Sequence, residues 1–174
     1  LLQLSQIDAQ QLDWENRPVV MHHVLQTVLE NQQISAEEKG LNIHTCFADD
    51  VPPVWGNSDK LEQVCVNIVT NAIKYTPAGG DIFIKLTLRG DYAQVTVRAT
   101  GLGIPEKDLP RIFERFFRVD KARSRELGGS GLGLSIAKQL VEAHKGEIGI
   151  TSAVGKGTEV WFTIPLHQEE TGER

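Results

Sequence analysis

Glycine is concentrated in three short loops of this 174-residue chain, and each loop adjoins a segment with the apolar pattern of a strand or a helix. The loop at 100–105 follows the alternating segment 95–97, the loop at 128–134 precedes a helical pattern, and 155–158 joins the last two predicted strands. Glycine lets backbone N–H groups approach an anion closely, and a helix N-terminus adds partial positive charge there. A single loop of this kind is more often a plain turn. Three loops in this order favour a phosphate-binding fold.

Apolar periodicity predicts helices and strands in one domain without internal repeats. Helical spacing marks residues 24–29, 61–72 and the segment after Gly131, and strict alternation marks strands near 41–45, 82–88, 95–97, 148–150 and 160–164. The segment 18–21 indicates a further short strand or extended entry. With a weak helical pattern at the start, the order is α-β-α-β-α-β-β-loop-α-β-β. This order predicts an α+β domain whose mixed sheet is covered by helices on one face. Ser58 or Asp59 is expected to cap the helix that begins near Leu61.

Composition excludes several classes of function. Lys and Arg number 18 against 23 Asp and Glu, and the formal net charge of -5 argues against nucleic-acid binding through a broad basic face. No apolar run approaches the roughly 18 residues of a membrane span. Cys46 and Cys65 lie on separate apolar segments without metal-ligand spacing, so we expect two buried, reduced thiols rather than a zinc site.

Asn67, Asn71 and Lys74 recur at i, i+4 and i+7 and therefore share one face of a predicted helix, opposite its apolar stripe. Amide oxygens are hard ligands that suit Mg²⁺, and a lysine is a point charge for phosphate. Taken alone, such a row is more often a solvated polar face. The glycine-rich loops favour a nucleotide site instead.

Five motifs give a specific resemblance. Asn-Ile-Val-Thr-Asn-Ala-Ile-Lys-Tyr-Thr-Pro at 67–77 resembles the N box of sensor histidine kinases. The other four resemble the first glycine box (100–104), the F box (111–118), the second glycine box (129–134) and the last glycine box (155–158) of that family. The resemblance runs in unbroken order from about Trp14 to Leu166. The chain is identified on these motifs as a member of that family.

The resemblance implies a fold and a domain organisation. The fold would be the Bergerat-type ATP-binding sandwich shared with gyrase, the Hsp90 chaperone and MutL: two α/β layers, a mixed sheet covered on one face by helices, and a mobile ATP lid between Phe113 and Gly131. Residues 14–168 would form the catalytic domain. Residues 1–13 would be the end of the second helix of an upstream dimerisation and histidine-phosphotransfer domain, and 169–174 a solvated tail.

The resemblance also implies roles for single residues. Asn71, with Asn67 beside it, would coordinate the Mg²⁺ that bridges the phosphates of ATP. Lys74 would contact phosphate, Tyr75 would lie against adenine, and Arg118 would reach the γ-phosphate from the lid. Asn67, Lys74 and Arg118 would be the catalytic residues. The remaining nucleotide-binding positions would be Ala99, Gly101, Gly103, Ile104, Gly129, Ser130, Gly131, Leu132, Gly133 and Thr158.

Asn67 bears on the reaction. In the related ATPases this position is a glutamate that activates water, and an amide cannot act as a general base, which favours phosphoryl transfer over hydrolysis. The acceptor histidine of the family has a His-Glu/Asp…Pro context that His22 and His23 lack. We therefore expect a cytoplasmic catalytic fragment, itself a monomer, of a homodimeric and membrane-anchored parent protein. Its partners would be the upstream domain, which carries the acceptor histidine, and a cognate response regulator.

Ala99 departs from the family pattern. The first glycine box reads Asp-x-Gly-x-Gly in the family, and its Asp accepts a hydrogen bond from the adenine amino group. Here Ala99 stands at that position. This is either an inactivating substitution or a natural variant that has lost strong ATP binding, and the otherwise intact nucleotide positions favour the first. A non-catalytic regulatory or docking module is the alternative function, whereas the F box and long lid argue against a serine-directed anti-sigma kinase.

Overall fold

The computed structural model describes residues 14–101, 103, 106–114 and 133–168. Its elements are β1 (Arg17–Val19), α1 (Met21–Lys39), β2 (Asn42–Phe47), β3 (Val54–Gly56), α2 (Ser58–Tyr75), β4 (Asp81–Arg89), β5 (Tyr92–Ala99), a 3-10 helix (Glu106–Arg111), α3 (Gly133–Ala143), β6 (Ile148–Ala153) and β7 (Gly157–Pro165). Five strands form a mixed sheet in the order β2-β4-β5-β7-β6, and β1 pairs with β3 in a separate antiparallel sheet. The predicted α+β class is confirmed. The expected terminal segments 1–13 and 169–174, and most of the expected lid, lie outside the described residues.

The central strands have one covered face and one open face. In β4, Ile82, Ile84 and Leu86 are buried, and Lys85 between them is exposed. Successive side chains of a strand point to opposite faces, so this alternation places the apolar residues under the helices. The neighbouring strand β5 repeats the pattern with Val95 and Val97. The alternation predicted from the sequence is confirmed at 82–86 and 95–97, whereas Leu88 near the end of β4 is exposed.

The edge strand β2 pairs in parallel with β4, from Asn42 opposite Asp81 to Phe47 opposite Leu86. A parallel pair requires a crossover, which α2 supplies. Most of β2 is exposed, including Cys46. The prediction of a buried thiol at Cys46 was therefore wrong, because this residue lies on the open face of an edge strand.

Helix α2 carries the centre of the helical layer. Its buried residues are Leu61, Val64, Cys65, Ile68, Val69 and Ile73. The apolar stripe predicted from the sequence is confirmed in its first five members, but it ended at Ala72, which is only partly buried, and did not include Ile73. Burial, and secondarily the charge of Glu62, raises the pKa of the Cys65 thiol to about 12, so this thiol remains protonated and packs as an apolar group.

Among the described helices, none is long and apolar enough to span a membrane.

Asn57, rather than Ser58 or Asp59, caps α2. Its side-chain oxygen accepts a hydrogen bond from the backbone N–H of Lys60 at 3.0 Å, and its side-chain amide donates to the carbonyl of Glu15 at 3.1 Å. The predicted cap was therefore one or two residues too late. Asn57 precedes the apolar stripe by four residues, so periodicity alone did not point to it.

Strand β3 and the 3-10 helix were not predicted. β3 has only three residues, follows Pro52 and Pro53, and pairs antiparallel with β1 from Val54 opposite Val19 to Gly56 opposite Arg17. Three residues are too few for an alternating pattern to stand out from its surroundings.

His144, directly after α3, joins three parts of the fold. Its Nδ1–H donates to the carbonyl of Leu140 at 2.8 Å, and its Nε2 accepts the backbone N–H of Asn57 at 3.1 Å. A ring with one donating and one accepting nitrogen is the neutral tautomer. The ring stacks on Trp14 at a centroid distance of 5.0 Å, and a Cβ on Gly56 would lie 2.5 Å from its Cδ2. The neutral imidazole thus ties the N-terminal segment and the start of α2 to the end of α3.

Desolvation lowers the pKa of His144 below its ordinary value of 6.5, although the hydrogen bond to Leu140 opposes this shift. The folded state therefore binds fewer protons than the unfolded state. The contribution of the neutral His144 ring to the free energy of unfolding is fully present above pH 6.5. It is lost as the pH falls below that value toward the folded-state pKa. We expect the free energy of unfolding to fall by up to about 1.4 kcal/mol per pH unit in that range. Urea unfolding between about pH 7.5 and about pH 5.5 measures this.

A matched pair of variants assigns the effect. His144→Gln should be less stable at neutral pH, and its free energy of unfolding should change little as the pH falls. In His23→Gln, which alters an exposed histidine, the free energy of unfolding should fall with pH as in the unmodified chain. An equal decline in His144→Gln and the unmodified chain would contradict the assignment to His144.

Candidate nucleotide-binding site

Helix α2 ends where the site begins. Proline disfavours a helical conformation in the residue before it, and Thr76, which precedes Pro77, is extended with φ -94° and ψ 122°. The Thr76 backbone N–H and hydroxyl both donate to the carbonyl of Ala72, at 3.1 and 2.6 Å. Thr76 is buried, and both of these donors are thus satisfied within the protein. The last turn of α2 is thereby closed at Tyr75.

A lysine from the neighbouring helix holds the same turn. Lys39, the last residue of α1, donates from its Nζ to the carbonyl oxygens of Ile73 at 2.8 Å and Lys74 at 2.6 Å. These carbonyls lie at the C-terminal end of α2, where a cation is stabilised by the helix dipole. The next residue, Gly40, ends α1 in the left-handed conformation with φ +76°. The ends of both helices are therefore fixed together beside the pocket.

A pocket lies between the last turns of α2 and the adjacent ends of β5 and β7. Its walls combine apolar side chains, small hydroxyls, one amide, one phenol and glycine backbone. They consist of Ile68, Asn71, Ala72, Tyr75, Thr76, Val97, Ala99, Thr100, Gly101, Gly103, Gly157, Thr158 and Val160. Six of the predicted site residues are thus brought together. These are Asn71, Tyr75, Ala99, Gly101, Gly103 and Thr158.

The first glycine loop is anchored at both ends. Thr100 accepts the backbone N–H of Asp81 on its Oγ1 at 2.9 Å, and its own N–H donates to the Asp81 carbonyl at 3.0 Å. Gly103 has φ +75°, and a Cβ there would lie 2.0 Å from the carbonyl oxygen of Ala153 at the end of β6. Only glycine permits this approach. The loop is therefore held between the start of β4 and the β6–β7 hairpin.

The last glycine loop is packed against the first. Gly157 has φ +92°, and a Cβ there would lie 2.2 Å from the carbonyl oxygen of Ala99. The next residue, Thr158, pairs directly with Ala99 across β5 and β7. Directly paired residues project to the same face of the sheet, so the two side chains stand next to each other in the pocket.

The two asparagines of α2 have different environments. Asn71 lines the pocket, and its side chain has no hydrogen-bond partner among the described residues. Asn67, one turn earlier, donates to the carbonyl of Gly133 at 3.2 Å and accepts from Gln63 at 3.3 Å. Asn67 therefore links α2 to the first residue of α3, while the amide of Asn71 is available to a ligand.

The other predicted site residues are not part of the described pocket wall. Lys74 lies in the last turn of α2 and is partly buried but does not line the pocket, and Gly133 begins α3 beside Asn67. The remaining positions lie outside the described residues and are Ile104, Arg118, Gly129, Ser130, Gly131 and Leu132.

The described wall of the pocket carries no charged side chain. In the described part of the chain there is also no group of three or more His, Cys, Asp or Glu residues that could hold a metal ion.

Sequence reasoning missed the apolar walls Ile68, Val97 and Val160, which it assigned to core packing only. It also missed Ser152, which pairs with Thr158 and whose hydroxyl lies 2.8 Å from that of Thr158. Extending the predicted 148–150 strand and its pairing by two residues would have indicated Ser152.

Residues 56–168 match the family of histidine kinase-, DNA gyrase B- and HSP90-like ATPases. The chain belongs to this family. The sensor histidine kinase WalK of Bacillus subtilis (strain 168) is 37% identical to it over 176 residues, which are 98% of this chain and 28% of that protein. The sensor protein kinase WalK of Staphylococcus aureus is 36% identical over 180 residues, 99% of this chain and 42% of that protein. The chain thus spans less than half the length of these curated relatives.

Solved structures support the same assignment. Full-length ShkA in complex with AMPPNP superposes with a TM-score of 0.83 at 28% identity, over 98% of this chain and 35% of that chain. The catalytic domain of histidine kinase ThkA gives a TM-score of 0.77 at 25% identity, over 87% of this chain and 96% of that chain. The identification as a sensor histidine kinase catalytic domain, made from the sequence motifs, is confirmed.

Gly103 and Gly155 provide a matched test of the backbone contact at the pocket. Both have positive φ, +75° and +79°, but a Cβ would clash with the Ala153 carbonyl only at Gly103. Gly155→Ala should cost about 1–2 kcal/mol for the left-handed conformation alone. Gly103→Ala should cost more, because the loop at Gly103 and the end of β6 must also separate. Urea unfolding of both variants measures the difference, and equal losses would show that the close contact is not maintained in solution.

Proposed function

We propose that this domain binds ATP with its adenine in the pocket and transfers the γ-phosphoryl group to a histidine of an upstream dimerisation domain. The observation that carries the proposal is the pocket itself, where the end of α2 meets two glycine loops and the paired residues Ala99 and Thr158. Ligand pockets are mostly apolar, with a few polar groups that orient the ligand. This pocket has that composition, and the chain belongs to an ATPase family.

The base would lie between apolar side chains. Ile68, Val97 and Val160 are each at least nine-tenths buried, and all three face the pocket. Tyr75 adds an aromatic ring to the lining, and a flat base packs favourably against such a surface. Burial of the base against these side chains would supply affinity that is similar for any purine base. Preference for adenine must come from the polar groups near it.

Mg²⁺ would be held mainly through Asn71. The donor set fits, because an amide oxygen is a hard ligand and the Asn71 side chain faces the pocket without a protein partner among the described residues. Mg²⁺ commonly keeps several waters and binds through one or two protein groups together with substrate phosphates. When bound, it would neutralise phosphate charge. Asn67 would contribute from the preceding turn, although its contacts to Gln63 and Gly133 make it the weaker candidate.

The remaining phosphate contacts are proposed from the family motifs. Lys74 would supply a positive charge at the end of α2, and Arg118 would reach the γ-phosphate from the lid. Backbone N–H groups of the first loop (Gly101, Gly103 and Ile104) and of the second glycine box would bind phosphate oxygens, as glycine-rich backbone before a helix does. The positions of the second glycine box are Gly129, Ser130, Gly131, Leu132 and Gly133.

Transfer is favoured over hydrolysis. No Asp, Glu or His lines the described pocket wall, and Asn67, whose amide cannot take a proton from water, occupies the position one turn before Asn71. Water at the phosphate would therefore lack a base. The nitrogen of a neutral histidine already has a lone pair for attack, so this nucleophile does not need a general base in the pocket. The phosphohistidine formed would then pass its phosphoryl group to an aspartate of a response regulator.

The parent protein would be a homodimeric, membrane-anchored sensor kinase, with this domain on the cytoplasmic side. Its relatives are named sensor kinases and are considerably longer than the chain. Residues 1–13 would continue the dimerisation domain, which would carry the acceptor histidine. A second candidate function is a regulatory or docking module that has lost strong ATP binding, and Ala99 is the feature that favours it. Ala99 places a methyl group, with no hydrogen-bond acceptor, in the wall of the pocket.

Asn71→Ala tests the magnesium assignment. The variant should bind ATP at least about tenfold more weakly in the presence of Mg²⁺, and chelation of Mg²⁺ should have little further effect. Titration calorimetry with and without a chelator measures this. Thr70→Ala is the matched control, because Thr70 precedes Asn71, bonds only within its own helix and does not line the pocket. A normal Mg²⁺-dependent affinity in Asn71→Ala would refute the assignment.

Ala99→Asp tests the adenine role of this position. A missing buried hydrogen bond costs about 1–2 kcal/mol, so the carboxylate should strengthen ATP binding by about 5- to 30-fold. The ATP/GTP ratio should rise as well, because a carboxylate repels the guanine carbonyl. Ala99→Val, which adds volume without an acceptor, should not gain affinity. If Ala99→Asp leaves affinity and ratio unchanged, the regulatory-module function is favoured.

A further inference from the structure

Ala99, Thr158 and Ser152 form a row across three neighbouring strands on the helix-covered face. Ala99 of β5 pairs with Thr158 of β7, which pairs with Ser152 of β6. Directly paired residues have Cβ atoms about 5 Å apart and project to the same face. The hydroxyls of Thr158 and Ser152 therefore lie in one row with Ala99, whose side chain has no hydrogen-bond acceptor.

The Ser152 hydroxyl has one proton to donate, and two oxygen atoms of described residues lie within hydrogen-bond distance of it. Its Oγ lies 2.8 Å from the carbonyl oxygen of Gly157 and 2.8 Å from Oγ1 of Thr158. A carbonyl oxygen only accepts, so the Ser152 proton must be donated to Gly157 for that contact to be a hydrogen bond. The direction of this carbonyl is constrained, because Gly157 packs directly against the backbone of Ala99.

The proton of Thr158 follows from this arrangement. With the Ser152 proton used at Gly157, the contact between the hydroxyls is a hydrogen bond only if Thr158 donates to Ser152. This is the single placement of two protons that satisfies both contacts. The lone pairs of Thr158 Oγ1 are then what this hydroxyl offers to the pocket, which Thr158 lines. Toward the pocket, Thr158 is therefore an acceptor, because its only proton is donated to Ser152.

We propose that Ser152 is a positioning residue that holds Thr158 as a hydrogen-bond acceptor and so sets the base preference of the pocket. The inference rests on the proposed function, namely that a purine nucleotide occupies this pocket. An acceptor beside Ala99 favours a base with a donor at position 6, the amino group of adenine. It disfavours a 6-oxo base, whose carbonyl would face the lone pairs of Thr158. Thr158 would thus replace part of the selectivity that the side chain at position 99 does not supply.

Inosine triphosphate is the probe, because it is similar in size to ATP but carries a 6-oxo acceptor and an N1–H donor where ATP carries a 6-amino donor and an N1 acceptor. The unmodified chain should bind ATP more tightly than inosine triphosphate by about fivefold or more, the factor for one buried hydrogen bond. In Ser152→Ala the Thr158 proton is released and can turn toward the 6-oxo group. The ATP/inosine triphosphate ratio should therefore fall toward one, mainly because inosine triphosphate binds better.

Two further variants distinguish positioning from a structural role. Ser152→Thr retains a hydroxyl and should retain the ratio, whereas Thr158→Val removes the acceptor and should lower the ratio by weakening ATP. Thermal unfolding of each variant checks that the fold is intact, and Thr158→Val carries the test if Ser152→Ala does not fold.

The outcomes separate the two levels of the proposal. Tight ATP binding with an unchanged ratio in Ser152→Ala, or a preference of the unmodified chain for inosine triphosphate, overturns the role of Ser152 and leaves the proposed function standing. Absence of any nucleotide binding to the unmodified chain and to Ala99→Asp overturns the proposed function, and this inference with it.

Discussion

Direct backbone contact between strand ends determines the shape of the pocket. Gly157 lies so close to the Ala99 carbonyl that a side chain cannot be added, and Gly103 lies equally close to Ala153. These contacts bring the ends of three strands together below the last turn of α2. The two glycines, which the sequence motifs associate with phosphate, are therefore also required for strands to approach each other. A single residue type serves both needs, since each depends on backbone that is not shielded by a Cβ.

Much of the fold was predictable because its pattern is local. The stripe of α2 and the alternation of β4 and β5 are periodic over many residues, and periodicity is a direct consequence of which face is buried. The convergence of Asn71, Tyr75, Ala99 and Thr158 was also predictable, although from the order of the motifs and not from spacing. The roles of these residues toward ATP and Mg²⁺ stay predictions.

The features that sequence reasoning missed depend on tertiary contacts. Asn57 caps α2 from outside the apolar pattern, and its backbone N–H is bonded by a histidine 87 residues away. Cys46 is exposed because its strand happens to be at the edge of the sheet, which no local pattern reveals. The hydroxyl of Thr158 lies 2.8 Å from that of Ser152, a residue of a neighbouring strand. In each case the deciding partner is distant along the chain or belongs to another strand.

The position of β2 has a consequence for the dynamics of the domain. Among the described strands, β2 pairs only with β4, in parallel and after a crossover that includes the whole of α2, and its side chains are mostly exposed. Closing the long connection between β2 and β4 costs conformational entropy, and little apolar burial offsets that cost. The free energy needed to open β2 locally is therefore small. We therefore expect amide hydrogens of β2 to exchange with solvent through local opening, well below the free energy of global unfolding. The pocket side of the sheet, at β5 and β7, would remain closed during such openings.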